Sequence, residues 1–292
     1  MRALYDLPAP AKLNVFLHIT GRRADGYHLL QSIFMLIDWC DTLHVEARGD
    51  GELTREDLGT PLPPDDLVLR AARTLQRLAP SGSGAHIAIN KQIPSEAGMG
   101  GGSSDAATTL LALNRLWGLK LPLSELEKLG LTLGADVPFF LRGHNALVEG
   151  IGEQITPLQL PAARFVVAKP PQGLQTARIF NSRDMRRDTA PIPPAIISGF
   201  AANAAAHVHD FVYDFGHNDL QPVAQQLCPA VGDAIQWLAD QGLKGRMTGS
   251  GSAVFAQIPH DKALEELRGI PMNWQVRKCG NLAVHPLVGW AV

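Results

Sequence analysis

An α+β fold is what this sequence predicts, and three observations carry the prediction. Stretches rich in β-branched and aromatic residues mix with stretches of helical period, the two kinds do not follow strict βαβα order, and no internal repeat relates one part of the chain to another. The 292 residues exceed one minimal domain and fall short of three, so one large or two moderate domains sharing a cleft are expected.

Taken in order, residues 13–19 form an apolar run holding Asn14 and His18 and ending at Gly21, which reads as a strand. Residues 33–40 and 43–47 read as two further strands around Asp41-Thr42, and 49–64, rich in Gly, Pro and Asp, as loop. Asp65 or Asp66 caps a helix with Leu67, Leu69, Ala71, Ala72, Leu75 and Leu78 on one face, ending near Pro80 and Gly82. A short strand through His86, Ile87, Ile89 and Lys91 leads to IPSEAGMGGGSSDAATTLLALNRLWG, residues 93–118, a glycine-rich loop feeding an apolar helix. Ser103, Ser104 or Asp105 is expected to cap that helix and Gly118 to end it. Ser124 with Glu127 predicts a capping box for a helix to about Leu133, followed by the turn GADVPFF at 134–140. Strands are expected at 145–149 and 164–168, a linker at 188–195, and helices at 201–209, 222–227 and 231–241. A strand pair, 253–258 and 274–278, encloses a last helix near 262–268.

Composition narrows the function. Lys plus Arg number 26 against 28 Asp plus Glu, net charge −2, which leaves no footprint for nucleic acid or an anionic membrane. The 28 glycines and 21 prolines, about 17% of the chain, fall short of the roughly 25–30% of a low-complexity chain. Cys40, Cys228 and Cys279 are scattered, odd in number and never CxxC, so neither a disulfide framework nor a zinc ribbon is encoded. No apolar stretch reaches the roughly 18 residues of a spanning helix. The N-terminus reads as the reverse of a secretory signal, and a cytoplasmic protein is expected.

Gly98, Gly100, Gly101 and Gly102 precede a helix N-terminus, where free amides and the helix dipole favour an anion and glycine admits a phosphate close to the backbone. The spacing is neither Walker A, which needs Lys-Ser/Thr after its last glycine, nor Rossmann GxGxxG, which would meet Ser103 at its third glycine. Asp214-Phe215-Gly216 spells DFG without an HRD loop anywhere, a chance match. His207 and His209 fall on different helix faces with no further ligand pattern, so no metal site is expected there and no metal ligands are assigned.

PAPAKLNVFLHI, PSEAGMGGGSSDAA and MTGSGSAVFA resemble, in order, the three motifs of the GHMP kinases, a match spanning the chain. Lys12-Leu13-Asn14, ADGYHLLQS at 24–32, GGGSSDAA at 100–107 and GADVPFF at 134–140 are similar to the branch acting on a cytidine diphosphate-linked methylerythritol. The resemblance implies an ATP-dependent and Mg2+-dependent kinase that phosphorylates the 2-hydroxyl of this small-molecule substrate in the non-mevalonate isoprenoid pathway. It implies a two-domain fold, a ribosomal protein S5 domain 2-like unit at 1–158 and a ferredoxin-like α/β sandwich at 159–292, with the site between them. No nucleic-acid or membrane partner is implied, and a monomer or weak dimer is expected.

By the same resemblance Asp136 accepts the hydroxyl proton and Lys12 holds that carboxylate ionised, roles that phosphoryl transfer requires of some pair of groups. Pro94, Ser95, Glu96, Ala97, Gly98, Met99, Gly100, Gly101, Gly102, Ser103 and Ser104 form the ATP loop, with Ser103 or Ser104 near magnesium. Lys91 and Leu67 border the adenine beside Asp66, which stands where relatives tend to have Asn. Tyr27 and Phe180 sandwich the cytosine and His28 reads its edge, with Asn14 and Thr176 as polar contacts, while Gly249, Ser250 and Gly251 support substrate phosphates. Two other readings fit the glycine-rich loop alone. A family member acting on mevalonate, homoserine or a sugar would not need Tyr27, His28 and Phe180, and a non-catalytic nucleotide sensor would need neither Lys12 nor Asp136.

Overall fold

The structure, a computed structural model, describes residues 2–193, 195–197, 199, 213, 215–259 and 267–291. Two antiparallel-rich sheets pack face to face, each backed by helices. The first holds β1 (Ala3–Arg22), β2 (His28–Arg48), β3 (Leu53–Asp57), β4 (Gly84–Asn90), β5 (Ala146–Gly150) and β6 (Gln154–Pro157). Its order is β3-β4-β2-β5-β6, with β1 along the other edge of β2. β2 is long enough for β4 to pair with its C-terminal part and β5 with its N-terminal part. The second sheet, in the order β10-β7-β9-β8, holds β7 (Arg164–Lys169), β8 (Arg246–Met247), β9 (Val254–Ile258) and β10 (Gln275–Gly280). That order is the one a ferredoxin-like βαββαβ unit produces.

Strand periodicity builds the layers. Along β2, Phe34 and Leu36 face the helices α1 (Leu67–Gln76), α2 (Gly101–Leu116) and α4 (Val137–Arg142), with α3 (Leu123–Leu133) outside them. Ile33, Met35, Ile37 and Trp39 face the second sheet, where they meet Phe165, Val167 and Phe255. On the far face of that sheet Val166, Ala168, Val254 and Ala256 pack against α5 (Thr176–Phe180), α6 (Gln221–Leu227) and α7 (Pro229–Asp240). The C-terminal segment returns to the first sheet: Leu282 N donates to Leu36 O at 2.9 Å and His285 N to Gly143 O at 2.7 Å.

Several expectations need correction. The strands expected at 33–40 and 43–47 are one strand, because β2 carries its pairing with β1 through Asp41-Thr42 by shifting register between Pro10 and Ala11. The stretch 49–64 contains β3, whose parallel pairing with β4 satisfies a backbone that its polar composition disguises. α2 is capped by the left-handed backbone of Gly100, so Ser103, Ser104 and Asp105 lie in its first turn. α3 starts after Pro122 with no side-chain cap, and Glu127 instead holds Arg142 at 2.7 Å. GADVPFF holds the start of the short α4, β6 and α5 gave no clear sequence signal, and β9 and β10 pair with β7 from opposite sides, not with each other. The helix expected at 201–209, with His207 and His209, lies outside the described residues, as does nearly all of that at 262–268. All three cysteines are free, and burial raises the Cys40 and Cys279 thiols to about 11 and about 12. Among the described residues no helix is long and apolar enough to cross a membrane.

Candidate active site

The glycine-rich segment leaves β4 and enters α2 where the two sheets meet. At Gly98 (φ 71°) a Cβ would overlap the Thr248 carbonyl, and at Gly100 (φ 71°) one would sit 2.9 Å from the Phe140 ring, so backbone strain and space both demand glycine. The second small-residue turn is zipped to the first by Ser252 N to Glu96 O at 3.1 Å and Ala253 N to Ala97 O at 3.2 Å. First-turn amides of an α-helix have no intrahelical partner, so α2 aims a donor-rich N-terminus into the space these loops enclose.

That space is a cleft of about 830 Å³. It is lined by Lys12 and Asn14 from β1, Leu67, Lys91, residues 94–103, Asp136, Thr176, Phe180 and Gly249, Ser250 and Gly251. Residues scattered from 12 to 251 therefore converge. Ser104 lies behind the lining, fully buried, its Oγ without a partner among the described residues. Tyr27 and His28 are not part of the lining either.

Lys12 is buried, its Nζ 2.6 Å from Asn14 Oδ1, 3.7 Å from Asp136 Oδ2 and 4.6 Å from the Phe34 ring centre. Burial lowers its pKa and Asp136 pulls the other way, so this ammonium is held at a cost that one carboxylate only partly offsets. Asp136 stands at the N-terminus of α4 but makes no capping bond, which leaves its oxygens free to act on something in the cleft. Asn14 is fixed in turn by Ser32 Oγ at 2.8 Å and by Thr248 Oγ1, which accepts from Asn14 N at 2.9 Å.

Lys91 is bound differently. Its Nζ bridges Asp41 and Asp105, the latter at 2.6 Å, and all three side chains are buried. Burial opposes its charge, but the two carboxylates outweigh burial and raise its pKa, while burial, ahead of the pull of Lys91, raises that of Asp105 well above the carboxylate range. Asp41 also accepts from Gln92 N at 2.5 Å and Ile93 N at 2.8 Å, tying the start of the loop to β2. Asp66 caps α1 through Leu69 N at 3.1 Å and pairs with Arg55 at 2.7 Å. Lys91 and Asp66 are therefore already engaged within the protein, and Leu67, also expected at the adenine, supplies apolar wall beside them.

At the other end the ring of His28 lies 5.0 Å from that of Phe180, tilted by 34°. Tyr27 is 61% exposed and reaches into solvent. Thr176 Oγ1 meets Ser250 Oγ at 2.7 Å, linking α5 to the second turn. Sequence reasoning missed Ser32, Asp41, Asp105, Asn218 and Thr248. Asn218 donates to the carbonyls of Met247 at 2.9 Å and Gly249 at 2.8 Å, shaping that turn. Ser32, Asp105 and Thr248 had a local signal, since all three lie inside motifs; Asp41 and Asn218 act through contacts distant in sequence.

The chain matches the models for the GHMP kinases N terminal domain at residues 66–144 and GHMP kinases C terminal at residues 196–270. It is 70% identical over 298 aligned positions to a 4-diphosphocytidyl-2-C-methyl-D-erythritol kinase of Variovorax paradoxus (strain S110), covering 100% of both chains. Among solved structures it is similar to a 4-(cytidine 5'-diphospho)-2C-methyl-D-erythritol kinase, with TM-score 0.76 and 34% identity over 94% of this chain and 99% of that one. A homoserine kinase from Cytophaga hutchinsonii, at TM-score 0.68 and 18% identity over 98% and 96% of the two chains, shares the fold.

Proposed function

This chain belongs to the GHMP kinases and, within them, to the 4-diphosphocytidyl-2-C-methyl-D-erythritol kinases, and from that membership we infer how its cleft works. The reaction moves the γ-phosphoryl of ATP to the 2-hydroxyl of 4-diphosphocytidyl-2-C-methyl-D-erythritol, giving the 2-phosphate and ADP in the non-mevalonate isoprenoid pathway. The observation that carries the reading is the Lys12–Asp136 pair, 3.7 Å apart, in the cleft that the glycine-rich loop and Phe180 share.

Phosphoryl transfer needs an oriented hydroxyl, an acceptor for its proton and positive charge near the moving phosphoryl. Asp136, uncapped and facing the cleft, would accept the proton. Lys12 would orient that carboxylate and place an under-compensated positive charge beside the reacting oxygens. The amides of Gly101, Gly102 and Ser103 at the start of α2 would receive the ATP phosphates, with residues 94–100 wrapping them and Leu67 closing the adenine side. Lys91 would act at the rim of the nucleotide site by holding the loop to β2. At the far end Tyr27, His28 and Phe180 would take the cytosine, Asn14 and Thr176 the polar middle of the substrate, and Gly249, Ser250 and Gly251 its phosphates.

Among the described residues no cluster of three or more His, Cys, Asp or Glu forms a metal site, which suits Mg2+, an ion commonly carried on substrate phosphates with few protein ligands. Ser103, in the lining of the cleft, supplies a hard oxygen and would hold the ion, which neutralises phosphate charge when bound, whereas Ser104 is fully buried behind that lining. The division into domains falls at 158/159, between β6 and β7, and the enzyme works in the cytoplasm. An ADP-release assay with ATP and Mg2+ tests the whole. Turnover is expected with the cytidine-linked alcohol and not with free methylerythritol phosphate, mevalonate or homoserine; turnover with one of those instead would remove the cytidine site.

A further inference from the structure

Arg187 lies outside the lining of the cleft, yet it grips both sides of the end assigned to the base. Its Nη2 donates to the carbonyls of Phe180 at 3.2 Å and Ser182 at 2.6 Å, and its Nη1 to that of Met185 at 2.9 Å. These bonds close residues 180–187 into a ring around the guanidinium and fix the backbone that carries Phe180. A further donor of the fork points out of the ring: Nε–H donates to His28 Nε2 at 3.2 Å.

A guanidinium has only donors and does not give up its proton in proteins, so the nitrogen it meets must offer a lone pair. Nε2 of His28 is therefore bare, and in the neutral ring the proton sits on Nδ1. Burial, then the charges of Arg187 and Arg22, lower the His28 pKa, so the neutral ring prevails at pH 7. His28 opens β2, where it pairs with Arg22, and it rests on the Phe180 ring. Its Nδ1–H has no hydrogen-bond partner among the described residues, at the rim of the aromatic face on which a pyrimidine would stack.

We propose that Arg187 is a positioning residue for base recognition: by donating to Nε2 it holds His28 as the Nδ1–H tautomer, which offers the pyrimidine edge a donor and so selects cytosine over uracil. N3 of cytosine is an acceptor, whereas N3 of uracil carries a hydrogen; two facing donors leave both unpaired, which is how a polar site rejects a near-isostere. This inference rests on the assignment of the base to Tyr27, His28 and Phe180.

Long-range ¹⁵N–¹H correlation spectra of the ¹⁵N-histidine-labelled wild-type protein read the tautomer directly. A proton on Nδ1 of His28 is expected, and one on Nε2 overturns the proposal without any variant having to fold. In Arg187→Met the KM for the cytidine-linked substrate should rise about tenfold, the order of one charge-assisted hydrogen bond. The KM for ATP should hold and the preference for the cytidine-linked over the uridine-linked substrate should shrink. Arg187→Lys keeps the charge and loses the fork, so wild-type behaviour in that variant would also overturn the proposal. Tyr27→Ala and Phe180→Ala separate the two levels. If both leave the substrate KM unchanged, the base is not bound there and the underlying assignment falls. If both raise it while Arg187→Met keeps the tautomer and the preference, this inference alone falls.

Discussion

Two buried ammonium groups stand in one cleft and are treated in opposite ways. Lys12 has an amide oxygen, an aromatic face and a single carboxylate at 3.7 Å; Lys91 lies between two buried carboxylates. Burial prevails at Lys12 and lowers its pKa, whereas at Lys91 Asp105 and Asp41 overcome burial and raise it. A cation clasped on two sides by buried acid groups has little left to offer a ligand and serves the fold. One whose charge is under-compensated attracts the next anion to arrive, which in a phosphoryl-transfer site is the substrate. The contrast separates a clamp from a working group, although sequence alone had placed both in the site.

Changes on either side should sharpen that contrast, the largest at Asp136. Asp136→Asn removes the proposed proton acceptor and should lower kcat by about 10³-fold, with the melting temperature somewhat lower, since this carboxylate partly offsets the burial of Lys12. A variant that kept its turnover would leave the Lys12 side without a base. Lys91→Met strands two buried carboxyl groups and should cost about 3–5 kcal/mol of stability by urea unfolding; a loss under 1 kcal/mol would mean the clamp is not holding the loop. Lys12→Met should invert that pattern, with kcat down by about a hundredfold and stability unchanged or higher by about 1 kcal/mol, because removing an under-compensated buried charge relieves desolvation.

The smallest effect is expected at Asp105, whose folded pKa lies above its unfolded one. Folding then takes up a proton between the two values, so stability falls as pH rises from about 3.9 through the raised value. Asp105→Asn mimics the neutral acid and should cost less than about 1 kcal/mol while flattening that slope. An unchanged slope would assign the proton elsewhere in the Asp41–Lys91–Asp105 group.

Much of the fold was legible because period, caps and glycines are local. The α1 helix follows its apolar face and its Asp66 cap, and β1, β4 and β7 announce themselves as β-branched runs. β3 was not legible, since LTRED is held as a strand by its neighbour β4 rather than by its own residues. The capping box at Ser124 and Glu127 fails for a similar reason: Arg142, 15 residues on, takes the Glu127 carboxylate that the box would have used.

By itself the sequence determined the α+β class, the glycine-rich loop before α2 and, through motifs, the kinase family, because each is written in neighbouring residues. Only the tertiary structure decided that residues 12, 136, 180 and 249–251 share one cleft, that Lys91 is spent on Asp41 and Asp105, and that Arg187 holds His28. The physical reason is common to all three: compensation of a buried charge and the direction of a hydrogen bond depend on which groups lie within a few ångströms. That proximity is set by packing, not by spacing along the chain.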